Sequence, residues 1–406
     1  MVTDPGAAGE WNAVRYERRE WFWQRHGSRP PRADRLLGTY LSAVPPLIGL
    51  GRIELTGALA DAVRAAEQSV RAFDTAVPFD LASLAGALLR SESVASSKIE
   101  HLRASQRDVG VALLGGVQPS VVAAQVAANV AAMAAALTRA GPSRQLGTAD
   151  LLALHENLMS ADPHATSVGQ VRTVQNWIGG SDHSPRDALF VPPRPELVEA
   201  LLADLVVFMN RTDVPPLAQA AIGHAQFETI HPFDDGNGRV GRALVHVLLR
   251  HRGLATRSVV PLSTVLLADV GEYFAGLDEY REGNLRDWLT RFAAAATKAA
   301  THGYELAAEL TDLRDRWEQN VRPRRNSAAA TLLRAVLQRP VLDIGAVREL
   351  VPGTSDVNLY RALARLVGGA VLDELTGFGR NRVWAATEAL DVLERFEARL
   401  GRRQHV

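Results

Sequence analysis

The sequence predicts a mainly α-helical protein with more than one domain. Apolar residues recur at helical spacing along most of the chain, whereas the alternating patterns of strands are sparse. Apolar residues make up 47% of the chain and charged residues 22%, a composition typical of globular rather than disordered proteins. The 406 residues are enough for two or three domains.

Charge and cysteine content exclude several functional classes. The 45 basic and 45 acidic residues give a net charge of zero, so the chain is not a globally basic nucleic-acid binder. The only lysines are Lys98 and Lys298, and a cluster of arginines therefore carries little weight by itself. The absence of cysteine excludes disulfides, thiolate metal sites and a cysteine nucleophile.

Neither a signal peptide nor a membrane span is expected from the sequence. The first residues lack the basic and apolar regions of a signal peptide. The most apolar stretch, 121–137, is mostly alanine and carries Gln125 and Asn129, so we expect a core helix there. We therefore predict a cytoplasmic protein that does not bind membranes.

The elements are predicted in chain order. Residues 1–35 are polar with several aromatic side chains, and we expect an arm that packs onto the body. Glycines and prolines between 162 and 195 predict a loop with a short β-hairpin over 171–180. A linker at 321–326 precedes a predicted helix, strand, two helices and two strands. Apolar periodicity predicts helices over 55–73, 81–100, 120–139, 151–159, 196–210, 217–230 and 238–252, with more to about 317.

One passage of twelve residues carries groups that helix packing does not require. Two glycines flank Asn237 just before a predicted helix, where free backbone N–H groups and the helix dipole attract phosphate. Asp235 suits Mg²⁺, which prefers one or two carboxylates plus substrate phosphates. His231 titrates near neutrality and can act as a general base. The passage reads His231-Pro232-Phe233-Asp234-Asp235-Gly236-Asn237-Gly238-Arg239-Val240-Gly241-Arg242.

Two arginines complete this passage. Arg239 and Arg242 offer guanidinium groups to phosphate oxygens. The alternative is a helix–loop–helix corner whose charges are simply solvated. We favour a nucleotide-phosphate site because a base, a metal ligand, an anion site and two arginines follow one another in order.

The passage resembles the Fic-domain pattern His-Pro-Phe-x-(Asp/Glu)-Gly-Asn-Gly-Arg-x-x-Arg at every specified position. The resemblance implies a Fic-type helical core and a protein adenylyltransferase, which transfers AMP from ATP to a Ser, Thr or Tyr hydroxyl of a target protein or of itself. It implies that His231 deprotonates the hydroxyl, Asp235 holds Mg²⁺ and Arg242 meets the γ-phosphate. It assigns the α- and β-phosphates to Gly236, Asn237, Gly238 and Arg239.

A second segment, Ser96-Ser97-Lys98-Ile99-Glu100-His101, resembles the family's inhibitory motif, Ser/Thr-x-x-x-Glu-Gly/Asn. Ser96 and Glu100 are four residues apart and share one face of a helix. The resemblance implies that Glu100 pairs with Arg242, denies the γ-phosphate its place and marks the subclass with an N-terminal inhibitory helix. His101 departs from the usual Gly or Asn. A surface helix with a solvated glutamate is the alternative.

Two further resemblances concern the target protein and the adenine base of the nucleotide. Arg172, Val174, Trp177 and Ile178 lie in a segment similar to the flap that clamps the target by β-strand addition in this family. A hairpin that only covers the core is the alternative. Tyr273 lies where relatives place adenine-pocket residues, so we predict a nucleobase contact, with a core position as the alternative.

The C-terminal element order resembles a winged helix-turn-helix. From Arg322 onward the chain has 14 arginines and 9 acidic residues. Arg361 and Arg365 on the last helix, with Arg380 and Arg382 at the wing tip, are candidate DNA contacts. Such modules also dimerise or dock proteins.

The expected organisation has four parts: an N-terminal helical region (1–110, inhibitory helix at about 91–104), a Fic catalytic domain (111–320), a winged helix (326–390) and a tail (391–406). The favoured function is an autoinhibited adenylyltransferase that uses ATP and Mg²⁺. Removal of AMP, a different nucleotide donor and a homodimer stay open. The competing class is a DNA-binding regulator whose Fic domain senses nucleotide, but such a sensor has no need of His231 as a base.

Overall fold

The computed structural model describes residues 11–22, 30–76, 82–115, 118–376 and 381–402. Over these residues the chain is mainly helical, which confirms the predicted fold class. The helices of the first part are α1 (Arg32–Arg35), α2 (Gly57–Ala76), α3 (Ala82–Ile99), α4 (Gln106–Ala112), α5 (Val121–Arg139), α6 (Thr148–Met159), α7 (Pro195–Met209), α8 (Pro216–Ile230) and α9 (Asn237–His251). Those of the second part are α10 (Leu262–Ala268), α11 (Val270–Arg281), α12 (Leu285–Val321), α13 (Ala328–Ala335), α14 (Ile344–Leu350), α15 (Asp356–Gly368) and α16 (Thr387–Arg402). The strands are β1 (Arg15–Glu20), β2 (Thr39–Val44), β3 (Val341–Asp343), β4 (Asp373–Glu374) and β5 (Val383–Ala385).

Helix α8 forms the centre of the helical body. All its residues from Leu217 to Ile230 are buried, as expected for a helix without a polar face. It packs against α7, α9, α11 and α12. The chain leaves this central helix at His231, so the candidate site starts from the most buried element of the fold.

Helix α12 connects the central helices to the C-terminal elements. It has 37 residues and packs along α2 for much of its length. The approach is close, since a β-carbon on Gly303 would lie 2.9 Å from Phe73. Further along, α12 also contacts α13, α15 and α16.

The N-terminal arm contains a β-ribbon that the sequence did not predict. Strand β1 pairs antiparallel with β2, and the ribbon is joined to the body where Ala43 N–H donates to Val191 O (3.0 Å). The arm therefore packs onto the body as expected. Nearly all of β1 is exposed, so its sequence lacks the alternating apolar residues that indicate a strand.

The loop between α6 and α7 differs from the predicted hairpin over 171–180. Its β-pairing is one isolated bridge between Ile178 and Phe190. Gly179 and Gly180, with φ of 70° and 76°, turn the chain after Ile178. Phe190 thus lies ten residues beyond the end of the stretch in which the hairpin was predicted.

Helix α5 is, over the described residues, the one helix long and apolar enough to cross a membrane by length and composition. Half of the apolar window is buried inside the protein, and core helices pass the same test. Asn129 of α5 donates to Ser93 O (2.9 Å) and Ser97 Oγ (3.0 Å) of α3. These contacts agree with the predicted core helix.

The C-terminal elements follow the predicted order, with β3, β5 and β4 adjacent in one sheet. Their relation to the catalytic helices differs from that of a tethered module, because α16 packs against α3, α4, α10 and α12. The predicted tail at 391–406 is helical as far as Arg402. Buried residues on α16 include Leu393 and Phe396, so this helix belongs to the core.

We expect Leu393→Ala to lower the free energy of unfolding by about 2–5 kcal/mol, because it leaves a cavity where α16 meets the body. Hydrogen exchange measured at increasing urea concentration should show α9 and α16 losing protection together, at a lower midpoint than in the unmodified protein. Val357→Ala, at a residue 61% exposed in the same region, should change the stability by less than ~0.5 kcal/mol. Loss of protection in α16 alone would contradict this joint packing.

Candidate active site

The twelve-residue passage forms a tight corner between α8 and α9. His231 ends α8 in the left-handed conformation (φ 49°), and its N–H still donates to Phe227 O (2.9 Å). Gly236 precedes α9 with φ 77°, a conformation that glycine adopts without steric cost. No side chain caps α9, so its first N–H groups remain available for an anion.

The corner is held from inside by Asn237 and Phe233. Asn237 Oδ1 accepts the N–H of Phe233 (2.9 Å), and its Nδ2 donates to Phe233 O (2.7 Å). These bonds occupy the side chain of Asn237, which was expected to hold phosphate. It shapes the loop instead, and its backbone N–H lies at the start of α9.

His155 of α6 supports the corner. Its ring stacks on Phe233 with centroids 3.8 Å apart and nearly parallel planes. Nδ1 accepts the N–H of Gly169 (3.0 Å), so Nε2 donates to Asp235 O (3.1 Å). Burial lowers the pKa of His155 to about 4, and the neutral ring keeps this tautomer.

Arg239 presents a buried guanidinium group with unused donors. Its side chain is 3% exposed, and Nε and Nη1 have no hydrogen-bond partner within the described residues. Its nearest carboxylate oxygen, Asp235 Oδ2, lies 3.6 Å from Nη2. Buried charged donors ordinarily have partners. Arg239 is therefore built to receive an anion beside the start of α9.

Arg242 is already occupied by the predicted inhibitory segment. Its Nε donates to Ser96 Oγ (2.9 Å), and Nη2 donates to Ser96 O (2.9 Å) and Glu100 Oε1 (2.8 Å). Burial opposes ionisation of Glu100, but the charge and hydrogen bond of Arg242 outweigh it and lower the pKa of Glu100. The structure thus brings Ser96, Glu100 and Arg242 together.

Glu100 also covers the start of α9. A β-carbon on Gly238 would collide with Glu100 Oε1. Glycine at this position therefore lets the carboxylate lie where a phosphate oxygen would otherwise approach the backbone.

The turn after Glu100 explains why the family motif has Gly or Asn at the position of His101. His101 has φ 61°, and Leu102 N–H donates back to Ser97 O (3.0 Å) in a helix-ending motif. Gly and Asn are common in this left-handed region, and histidine is among the other residues enriched there. The departure at His101 is compatible with the turn.

His231 is held as a neutral base. Burial lowers its pKa to about 3, and the charges of Arg172 and Arg281 act in the same direction. The backbone carbonyl of His231 accepts Arg172 Nε (2.8 Å), which fixes the residue at the end of α8. The pKa therefore differs from the value near neutrality expected from the sequence, because burial removes the ring from water. The neutral ring keeps a nitrogen lone pair for a proton at physiological pH.

Of the predicted flap residues, Val174 alone is exposed. Arg172 is 2% exposed and donates to the carbonyl oxygens of His231, Val174 and Pro193. Its side chain therefore ties the flap to the catalytic corner and cannot contact a target, contrary to the expectation.

Trp177 and Ile178 are half-buried, since Trp177 packs edge-on against Trp21 and Ile178 pairs with Phe190. Val174 is 58% exposed, and Arg172, two residues before it, donates its N–H to Pro232 O (2.9 Å) next to His231.

Tyr273 is a core residue next to Arg242. It is 3% exposed, and its hydroxyl lies 2.9 Å from His224 Nε2. Burial raises the pKa of this hydroxyl far above its usual range. Its ring borders a cavity of about 270 Å³ between α10, α11 and α12. The nucleobase contact stays a prediction, and the hydroxyl of Tyr273 is engaged in the core.

Glu228 is a site residue that sequence reasoning missed. It is 6% exposed, Oε1 has no hydrogen-bond partner within the described residues, and burial raises its pKa to about 7. A β-carbon on Gly241 would collide with this carboxyl group. The glycine between the two arginines therefore makes room for Glu228, a contact that sequence spacing does not indicate.

Asp235 is 69% exposed at the lip of the corner, and Oδ1 accepts the N–H of Gly236 (2.6 Å). No cluster of three or more His, Asp or Glu side chains suited to a metal ion occurs over the described residues. One exposed carboxylate fits Mg²⁺ only where phosphates complete the coordination.

The candidate DNA contacts have mixed environments. Arg365 donates to Val321 O (3.1 and 2.7 Å) and Arg322 O (2.6 Å) at the end of α12. Arg382 is ion-paired with Glu374. Arg361 is exposed and contacts Asn358. Arg380 lies outside the described residues.

Comparison with known proteins identifies the class of the domain. Residues 145–249 match the Fic/DOC family, and this range contains the catalytic corner. A Fic family protein from Desulfovibrio desulfuricans G20 has a similar fold, with a TM-score of 0.51, 21% identity, and coverage of 82% of this chain and 97% of that chain. Residues 145–249 therefore resemble the Fic/DOC family, and the chain shares its fold with this Fic family protein.

Sequence relatives agree with this assignment. "Protein adenylyltransferase fic-1" of Caenorhabditis briggsae is 30% identical over 164 residues, which cover 39% of this chain and 29% of the relative. "Protein adenylyltransferase Fic" of Nematostella vectensis is 28% identical over 192 residues, covering 44% and 41%. The chain thus spans less than half the length of these relatives.

We expect the ring resonances of His231 not to titrate between about pH 8 and about pH 5, because a lowered pKa means that the ring takes up its proton only at lower pH. An NMR titration of histidine-labelled protein tests this, with His231→Ala to assign the resonance. A midpoint near the ordinary value of 6.5 would show that the ring is not desolvated.

Proposed function

We propose that this protein is an adenylyltransferase that transfers AMP from ATP to a protein hydroxyl group and is inhibited at rest by Glu100. The observation that carries the proposal is the buried guanidinium group of Arg239 beside the start of α9, whose Nε and Nη1 have no hydrogen-bond partner over the described residues. It lies in the same corner as a histidine held neutral by burial. An anion-binding group and a base are what phosphoryl chemistry on a nucleotide requires.

The α- and β-phosphates of ATP would bind Arg239 and the N–H groups at the start of α9. The target hydroxyl attacks the α-phosphorus, its proton passes to His231, and the bond to the β-phosphate oxygen breaks to release pyrophosphate. Mg²⁺, held by Asp235 together with the phosphates, would neutralise their charge. His231 must be neutral to take this proton, and burial keeps its ring neutral at physiological pH.

The target segment would pair with the backbone around Val174. This stretch is exposed and is joined to the corner by Arg172 N–H, which donates to Pro232 O (2.9 Å). Main-chain pairing accepts many sequences, so specificity for a target need not come from the flap side chains.

Inhibition would follow from competition for Arg242. Glu100 neutralises this buried guanidinium group and lies over Gly238. The γ-phosphate needs the same donors, so ATP binds productively only when Glu100 moves away. Removal of AMP, with Glu100 orienting a water molecule, is the alternative reaction of the same site.

DNA binding, a homodimer and a cytoplasmic location stay predictions. The exposed Arg361 favours DNA binding, whereas Arg365 and Arg382 are engaged within the protein.

Glu100→Gly should raise AMP transfer by about tenfold or more, because it frees Arg242 for the γ-phosphate. The protein is incubated with cell lysate and ATP labelled in the α-phosphate, and ATP labelled in the γ-phosphate serves as the control. We expect label that depends on the added protein from the first nucleotide only, since kinases of the lysate transfer γ-phosphate in its absence too. Glu100→Gly with His231→Ala should bind ATP and transfer nothing. Label that depends on the added protein but persists without His231, or that comes from the γ-phosphate, would refute the proposed chemistry.

His101→Val should also weaken inhibition, because a β-branched residue is strained at the left-handed position that ends α3. At about 1–2 kcal/mol of strain, the affinity for ATP should rise by up to roughly 5–30-fold, as measured by calorimetric titration. His101→Gly keeps the left-handed turn and is the matched control. Equal affinities for both variants would mean that the turn does not position Glu100.

A further inference from the structure

The inhibitory helix is held on its outer side by the C-terminal helix. Glu397 of α16 is almost fully buried and forms an ion pair with Lys98 of α3. The other oxygen of Glu397 accepts Gln106 Nε2 of α4 (2.6 Å). One carboxylate of the C-terminal region thus binds two elements that flank Glu100.

The same contacts continue inward to α3. Gln106 is fully buried, and its Oε1 accepts Nε of Arg90, which is 1% exposed on α3. The backbone N–H of Gln106 donates to Glu394 Oε1 (3.2 Å). We call Lys98, Gln106, Glu394 and Glu397 the C-terminal clamp.

Close backbone packing shows that this region fits α3 and α4 tightly. A β-carbon on Gly86 of α3 would lie 2.6 Å from Gln338 Cγ. A β-carbon on Gly110 of α4 would collide with Val341 of β3. Because packed interfaces shift between discrete arrangements rather than deform gradually, movement of α16 would be transmitted to both helices.

Glu100 lies between the two clamped positions. Lys98 precedes it by two residues and Gln106 follows it by six. The turn from Glu100 to Ser105 is thus attached to Glu397 on both flanks, through Lys98 and Gln106. The carboxylate of Glu100 itself pairs with Arg242. Lys98 is one of only two lysines in the chain and is 25% exposed, so its charge depends on Glu397 for compensation.

We propose that the C-terminal clamp sets the strength of inhibition: Glu397 holds the end of α3 and the start of α4 so that Glu100 reaches Arg242. This rests on the proposed function of the site. Release of α16 from Lys98 and Gln106 frees the turn, withdraws Glu100 and opens the γ-phosphate position. The C-terminal region acts on catalysis through Glu100 and through no contact with ATP.

Glu397→Gln tests the clamp, because it keeps the shape of the side chain and removes its charge. It should raise ATP affinity and AMP transfer by about fivefold or more, the low end of typical coupling between sites. Glu388→Gln makes the same change on the same helix, but Glu388 pairs with Arg316 of α12. It should leave both quantities unchanged. Thermal unfolding of each variant shows whether the fold is retained, and Lys98→Met should reproduce the effect from the other side.

The Glu100→Gly background separates the clamp from the chemistry. Adding Glu397→Gln to Glu100→Gly should change neither ATP affinity nor transfer, since the clamp has nothing left to position. The clamp would be overturned if Glu397→Gln raised ATP affinity and transfer equally with and without Glu100→Gly. It would also be overturned if Glu397→Gln raised neither in the protein that retains Glu100. If every variant fails to transfer AMP, the proposed chemistry falls, while the ATP titrations of the same variants still decide on the clamp.

Discussion

The buried guanidinium group of Arg242 is the constraint on which the site depends. A buried cation without an anion is costly, so Arg242 must be paired at all times. At rest, Glu100 and Ser96 supply its acceptors. Because Arg242 is on the first turns of α9, any anion that pairs with it also lies near the start of that helix. Under the proposed function, Glu100 and the γ-phosphate would therefore compete for one position.

Arg239, one turn before Arg242 on α9, is not fully paired in this way. It is as buried as Arg242 but has no acceptor for Nε and Nη1 over the described residues. The carboxylate of Glu100 satisfies Arg242 and leaves Nε and Nη1 of Arg239 without an acceptor. This asymmetry is expected of a site that is partly filled by its inhibitor and retains affinity for the rest of a polyphosphate.

The chemistry of the site could be predicted because it is contiguous in sequence. The base, the glycines and both arginines fall within twelve residues, and Glu100 is recognisable by its spacing from Ser96. The residues that hold this corner in place could not be predicted, since each lies on an element distant from it in sequence or outside the motif. His155 acts by stacking on Phe233, Arg172 by collecting backbone carbonyls, and Glu228 by filling the space above Gly241.

The same distinction applies to the fold. Helices with apolar periodicity were placed within a few residues, whereas the exposed ribbon of β1 and β2 has no apolar alternation to reveal it. The C-terminal elements were predicted in the right order but as a separate module, because sequence order says nothing about docking. The docking decides how α3 is held. A helix without other contacts would be enough to bring a glutamate to Arg242. In the proposed regulation the glutamate must also move away, which requires a second contact whose loss releases it. Helix α16 provides that contact through Glu397, on the side away from the corner.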